Sequence, residues 1–432
     1  METRDSISRG RRNFLRSSAA IGAAAVPATL LASASASAAG DGASLPPHIR
    51  ALPNVASRVV PIGDDERKAR LARAQQLMGE QNVDAIFVGG GSSLFYFVGM
   101  RWGNSERLTG MVLPRSGDPI YVTPEFERGR TLEQVKFGND VRAWNEHEDP
   151  YQRVAEVMAE RGATTGKMAI DEAVPYFRAR GIIEALPHVT FVHPNSIIAA
   201  CREIKSPAEL ALMKLANENT LAVYEAVWRS IREGMTQDDV SALITAAYDH
   251  TGLPGGASVN VGKYTASPHG SRFPQKISEG TPIMFDGGCK ADGYTSDITR
   301  TVVLGKPDDR MRKVFDIVLK AQTAALKAAR PGVSHESLDA AARKVIVDAG
   351  YGPDYAYFSH RLGHGIGLDM HEWDYLVRGN KRLLQPGMTF SDEPGIYIAE
   401  EFGVRTEDIL HITEDGGELL TPQCPSLDQP FG

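Results

Sequence analysis

Between residues 64 and 81 the apolar side chains return every three to four positions. Ala69, Leu71, Ala72, Ala74, Leu77 and Met78 fall near one face, which predicts an amphipathic helix. A short apolar run over residues 84–88 follows as a buried-type strand. Residues 111–114 and 120–122 read as two more strands, joined by a hairpin-like turn over 115–119. The alternation continues with a helix over 151–161, a strand over 168–171, a helix over 174–186 and a strand over 190–192. Helix and strand in turn imply one α/β domain over residues 59–202. No dense cluster of catalytic residue types falls in it.

The pattern changes at residues 201–206. Ser206 is an N-cap, Pro207 takes the first helical position and Glu209 the third, completing a capping box. A long helix should run from there to about Arg232, with Leu210, Met213, Leu215, Leu221, Val223 and Val227 among its apolar residues. Thr236 caps the next one. A domain boundary is expected here, with a second, α+β domain over residues 203–432. Residues 39–58 contain Pro and Ser and read as a linker.

The N-terminus is of another kind. A basic head, Arg9, Arg11, Arg12 and Arg16, precedes a small-residue apolar run from Ala19 to Leu31 and an Ala/Ser tail with cleavage points after Ala36 or Ala38. Residues 1–38 therefore read as a signal peptide, excluded from the fold. Arg11-Arg12-Asn13-Phe14-Leu15-Arg16 resembles the twin-arginine export signal, with Gly10 where Ser or Thr is usual. The expectation is an exported, periplasmic protein.

Composition narrows the function class. The chain has 432 residues, 42% apolar and 23% charged, with a net charge of −7, as expected of a soluble globular protein. Mild acidity without a dominant basic run argues against nucleic acid as a partner. After the signal no charge-free segment is long enough to cross a bilayer. Cys201, Cys289 and Cys424 are far apart and odd in number, so they form neither a disulfide framework nor a zinc finger.

Candidate chemistry lies in the second domain. Residues 282–301 read PIMFDGGCKADGYTSDITRT. Two apolar strands flank Ala291-Asp292-Gly293, a hairpin turn signal. With Ala291-Asp292 as the loop, Asp286 lies directly opposite Asp297; with Asp292-Gly293 the two are diagonal on one face. Directly opposed Cβ atoms are about 5 Å apart. Carboxylates that close repel unless one is protonated or a cation intervenes. Glu393 interrupts an apolar stretch over 388–398, and Glu407 lies between Val404 and Ile409-Leu410. Charges inside apolar strands are costly unless paired or metal-bound. Residues 358–372 hold His360, His364 and His371, with glycines at 363, 365 and 367 that let the backbone approach something bulky or charged, a metal being the natural candidate. Four carboxylates and one imidazole suit two divalent ions about 3.5–4 Å apart. Such oxygen-rich ligation favours Mn²⁺, Co²⁺, Fe²⁺ or Zn²⁺ over Ca²⁺.

The ordered set Asp286, Asp297, His364, Glu393 and Glu407 resembles that of the pita-bread metallopeptidases, in the branch of Xaa-Pro dipeptidase (prolidase) and aminopeptidase P. The strings HRLGHGIGLDMHE, DEPGIYI and GVRTED carry the likeness, with Met370 at a usually β-branched position. The resemblance implies a pita-bread catalytic domain with pseudo-twofold halves, preceded by a smaller creatinase-type N-terminal domain. It implies that Asp297 and Glu407 bridge two ions, that Asp286 completes one and that His364 and Glu393 complete the other. Glu393 would shuttle a proton. His269 and His371 would hold the scissile carbonyl or stabilise the tetrahedral intermediate, and His360 would line the substrate pocket or only orient a neighbour. Arg405 would orient a bridging carboxylate or the substrate's own carboxylate. Creatinase shares the fold without these ligands, which argues against that activity. The implied function is hydrolysis of an Xaa-Pro bond in a proline-containing peptide, dipeptides being favoured, by a homodimer with two Mn²⁺. The alternatives are an aminopeptidase P acting on longer peptides, or a lyase or amidohydrolase acting on a small non-peptide.

Overall fold

The structure, a computed structural model, describes residues 45–431. The signal-peptide reading of residues 1–38 lies outside them.

The first lobe is built on a six-stranded sheet ordered β4-β3-β2-β1-β5-β6. Its strands are β1 (Ala85–Gly89), β2 (Gly110–Pro114), β3 (Ile120–Pro124), β4 (Asp140–Trp144), β5 (Lys167–Ile170) and β6 (Thr190–Val192). The β1–β2 and β2–β3 pairs are antiparallel, and the other three are parallel. Counting from a short N-terminal helix α1 (Pro47–Arg50), the helices of this lobe are α2 (Asp64–Gln81), α3 (Ser92–Val98), α4 (Arg128–Leu132), α5 (Tyr151–Glu160), α6 (Tyr176–Ala185) and α7 (Ile198–Arg202). Helix α2 has the bounds its apolar period predicts. Helix α6 starts at Tyr176 and not at 174, because Pro175 takes the N-cap and fixes the entry of the chain. Helix α3 carries no apolar period in its sequence, because six of its seven residues are buried and it has no polar face.

Residues 45–58 do not behave as the expected linker. Ile49 is fully buried beneath α1, which packs on the two helices that open the second lobe. The Val55 amide donates to the Thr251 carbonyl at 2.8 Å. Burying an Ile or Val side chain is worth about 1.5–3 kcal/mol, enough to hold a short segment down.

The second lobe repeats one plan twice. In the first half, α8 (Pro207–Trp228) and α9 (Gln237–Thr251) pack on an antiparallel sheet of β7 (Gly255–Val261), β8 (Pro282–Ala291) and β10 (Ile298–Val303), with β9 (Tyr294–Thr295) paired to the end of β8. In the second, α10 (Asp309–Ala328) and α11 (His335–Asp348) cover a sheet ordered β12-β11-β13-β16-β17. Its strands are β11 (Gly363–Gly365), β12 (Glu372–Leu376), β13 (Thr389–Asp392), β16 (Asp408–Ile412) and β17 (Gly417–Leu419), and a separate hairpin, β14 (Gly395–Ile398) with β15 (Phe402–Arg405), leads off it. The second half has its own apolar core, and the core of the first half is continuous with that of the first lobe.

The capping box at Ser206–Glu209 forms, and Thr236 caps α9, where Asp239 completes a second box. Helix α8 ends at Trp228, short of Arg232. Ser230 and Ile231 donate to carbonyls three residues back, and the Ser230 hydroxyl takes the Ala226 carbonyl, so the last turn tightens and stops. The three cysteines are buried and unbridged. No helix among the described residues is long and apolar enough to cross a membrane.

Candidate metal centre

The hairpin that sets the first two carboxylates turns at Asp292-Gly293, both left-handed with φ of 45° and 92°. Of the two registers open from the sequence, this is the diagonal one. Thr299 pairs with Asp286 and Ile298 with Gly287, so Asp297 lies two residues back along the same face.

Three of the four carboxylates share one device. Asp297 sits in the two-residue gap between β9 and β10, Glu393 in that between β13 and β14, and Glu407 in that between β15 and β16. They were expected inside continuous strands. A break frees a side chain from the up-down alternation and lets it be re-aimed. At 393–394 the break follows from Pro394, which has no N–H for a ladder. At 406–407 the Glu407 amide leaves its own sheet and donates to the Thr299 carbonyl at 3.1 Å, tying the second half of the lobe to the first.

His364 is the middle residue of β11. The flanking glycines answer to neighbouring strands, not to a metal. A Cβ at Gly363 would stand 1.8 Å from the Ser391 carbonyl oxygen, and one at Gly365 2.2 Å from that of Trp373. Only glycine lets β11 lie this deep. The imidazole is fixed through Nδ1, which meets the Gly365 carbonyl at 3.1 Å. Nδ1 therefore carries the proton, and Nε2 presents a lone pair to the cavity. Burial holds the ring down to about 4, so it is neutral at physiological pH.

All nine residues singled out in the sequence line one cavity of about 460 Å³, together with Pro268, Arg361, Met370 and Tyr375. Asp297, His364 and Glu407 each bring a ligand atom within 4.8 Å of the others. His364 Nε2 is 3.4 Å from Glu393 Oε1 and 3.7 Å from Asp297 Oδ2. Asp286 joins through Thr299, whose hydroxyl is 2.6 Å from Glu407 Oε2 and 3.3 Å from Asp286 Oδ1. Glu393 Oε1 accepts from Ser391 at 3.1 Å.

Charge decides what this cluster is for. One of these four carboxylates, Asp286, accepts from a guanidinium, that of Arg405. Burial, reinforced by mutual repulsion, pushes the carboxyls of Asp297 and Glu407 well above their usual range, and burial pushes Glu393 up to about 7. Asp297 Oδ1 is buried with no hydrogen-bond partner. Such an atom costs stability unless something electropositive completes it. Divalent cations do so, and the donors are of the right kind: carboxylate oxygens and one neutral imidazole.

Arg405 is 3% exposed and its donors are largely committed. They go to Asp286 Oδ2, to Thr299 Oγ1 at 3.0 Å, to the Pro268 carbonyl at 3.1 Å and to the Tyr397 hydroxyl at 3.2 Å. Of the roles open to it, this is the tie to a carboxylate; the carboxylate is Asp286, not Glu407, and little is left over for substrate. His360 lines the cavity with both ring nitrogens engaged. Its Nδ1 meets the Arg361 carbonyl and its Nε2 the Tyr397 hydroxyl, both at 2.7 Å. Burial takes its pKa down to about 3, so Nε2 accepts and Tyr397 donates. His269 lies on an exposed turn after the 3₁₀ segment Gly262–Ala266, and the His371 ring is 4.1 Å from that of His364.

Sequence reading missed Thr299, Tyr397 and Arg361. It also missed the buried cluster beside His371. There Glu372 takes Lys205 at 2.9 Å, Arg202, and the Leu368 amide at 3.0 Å. A charged residue beside His371 was the one signal for this cluster, since its cationic partners are 167 and 170 residues away.

The comparisons with known proteins agree with this geometry. A profile described as Metallopeptidase family M24 matches residues 211–414, and one described as Creatinase/Prolidase N-terminal domain matches residues 70–204. The chain is 36% identical over 361 residues to a Mycobacterium tuberculosis protein named "Probable dipeptidase PepE", covering 82% of this chain and 94% of that one. It is 32% identical over 365 residues to the Xaa-Pro dipeptidase of Lactobacillus helveticus, covering 81% and 96%. Among solved structures, dipeptidase PepE from Mycobacterium ulcerans matches with a TM-score of 0.79 at 33% identity, covering 85% of this chain and 99% of that one.

Proposed function

The chain belongs to metallopeptidase family M24, with a creatinase-type first lobe and a pita-bread second lobe, and from that premise we propose that it is a metallo-exopeptidase cleaving the Xaa-Pro bond of Xaa-Pro dipeptides. The observation that carries this is the convergence of buried Asp297, His364 and Glu407 in a cavity whose four carboxylates outnumber its two arginines.

Asp286, Asp297, His364, Glu393 and Glu407 would hold two divalent ions. The donor set suits Mn²⁺, with Co²⁺, Zn²⁺ and Fe²⁺ as alternatives. Ions bound there supply Lewis-acid polarisation and activation of water. The remaining work falls to the chain. Thr299 and Arg405 fix the carboxylates from behind. Glu393, pushed up to about 7 by burial, is suited to take and return a proton at neutral pH. His371 and His269 line the cavity and would donate to the scissile carbonyl and to the oxyanion that develops from it. An Xaa-Pro bond is a tertiary amide with a ring on its nitrogen, so general proteases handle it poorly and a dedicated pocket is needed. The twin-arginine reading of residues 1–38 makes the periplasm the proposed location.

The test compares kcat/KM for Ala-Pro, Ala-Ala and Ala-Pro extended by two residues, with Mn²⁺ content measured on the same sample. Ala-Pro should be cleaved well and Ala-Ala hardly at all. A tenfold rise on extension, about 1.4 kcal/mol of transition-state binding, makes the enzyme an aminopeptidase P. Equal cleavage of Ala-Ala overturns the proline assignment.

A further inference from the structure

The cavity holds two guanidinium groups, and they are in opposite states. Arg405 is buried and bonded to the protein. Arg361 is exposed and has no side-chain hydrogen bond and no ion-pair partner among the described residues. Its one contact of note is with Tyr375, whose ring centroid lies 3.9 Å from the guanidinium carbon.

We propose that Arg361, held over the Tyr375 ring at the cavity wall, is the substrate-binding residue that receives a carboxylate of the peptide. The proposal rests on the Xaa-Pro hydrolase reading above. A guanidinium stacked on a ring keeps its N–H groups in its own plane, pointing past the ring edge. That leaves a two-pronged edge free, the geometry that suits a carboxylate. The base of the side chain is fixed on both sides: the Arg361 carbonyl accepts from His360 Nδ1 at 2.7 Å, and the next amide, of Leu362, donates to the Leu376 carbonyl at 3.0 Å. Tyr375 in turn pairs with His364 across β11 and β12, which sets the stacked pair beside the metal-facing imidazole. A cation this near the reacting bond and bonded to nothing is available to an anionic part of the substrate. An Xaa-Pro peptide offers two: the C-terminal carboxylate that follows proline in a dipeptide, and the side chain of an acidic residue before proline.

The experiment uses the Mn²⁺-loaded wild-type enzyme and the variants Arg361→Gln and Arg361→Lys. Two substrate pairs separate the sources: Ala-Pro against Ala-Pro amide, and Asp-Pro amide against Asn-Pro amide. The wild type should prefer the carboxylate-bearing member of one pair by about tenfold or more, mainly through KM. Arg361→Gln should bring that ratio close to one with kcat on the neutral member little changed, and Arg361→Lys should keep part of it. Collapse in the first pair assigns the C-terminal carboxylate, and collapse in the second the acidic side chain. A wild type without preference in either pair, or Arg361→Gln with its preference intact, overturns the proposal while leaving the hydrolase reading in place. Failure of the wild type to cleave any of the four overturns the hydrolase reading and this proposal with it.

Discussion

Thr299→Val isolates the outer support of the metal centre with almost no change of shape. Thr299 is fully buried. Its hydroxyl gives its proton to Glu407 at 2.6 Å, accepts from Arg405 Nε at 3.0 Å and lies 3.3 Å from Asp286. Valine fills the same space and makes none of these bonds. A hydrogen bond to a charged group is worth about 1.5–3 kcal/mol, and a buried donor left unsatisfied costs about 1–3 kcal/mol. The two losses together should come to about 2.5–6 kcal/mol. Part of this appears as a lower denaturation midpoint of the metal-free protein. Part appears in metal binding, because Glu407 and Asp286 lose the group that aims them; loss of such support weakens metal affinity by about 10–100-fold. Titration calorimetry with Mn²⁺ and urea denaturation of the same variant read the two parts separately. Unchanged Mn²⁺ affinity together with a stability loss below about 0.5 kcal/mol, the size of an ordinary surface change, would refute the role given to Thr299.

Glu372 carries a pH prediction. Against burial, which raises a carboxyl, Lys205 and Arg202 hold it down to about 2. Its folded value thus lies below the unfolded one of about 4.3, so its stabilisation is complete above that pH and is lost as pH falls towards 2. Over two pH units the linkage is worth about 3 kcal/mol, and urea midpoints taken from pH 6 to 3 should fall more steeply for wild type than for Glu372→Gln; parallel curves contradict the ion-pair account. Changing Arg11 and Arg12 together to Lys should leave the precursor in the cytoplasm on fractionation, and unchanged periplasmic accumulation removes the twin-arginine reading. Asp297→Asn keeps the shape of the side chain but removes a charge both ions would share, so the variant should stay folded by circular dichroism while kcat falls by many orders of magnitude.

The sequence was most legible where a local rule decides the outcome. The apolar period of α2, the capping box at Ser206, the cap at Thr236 and a hairpin turn within residues 291–293 are decided within a few residues, and the structure has them. What stayed hidden depends on chain neighbours brought together from afar. Thr299 matters because Arg405 and Glu407 fold back onto β10. Arg202 and Lys205 matter because Glu372 lies under them. The glycines around His364 showed where the backbone approaches something closely, and the approach is to the Ser391 and Trp373 carbonyls. Arg405 and Arg361 could not be told apart from sequence, since burial alone makes one a structural tie and leaves the other free.

Anomalous diffraction from crystals grown with Mn²⁺ tests the central claim most directly. The account predicts two peaks about 3.5–4 Å apart, both within bonding reach of Asp297 and Glu407, one completed by Asp286 and the other by His364 and Glu393. A single peak, or peaks away from these five side chains, contradicts it.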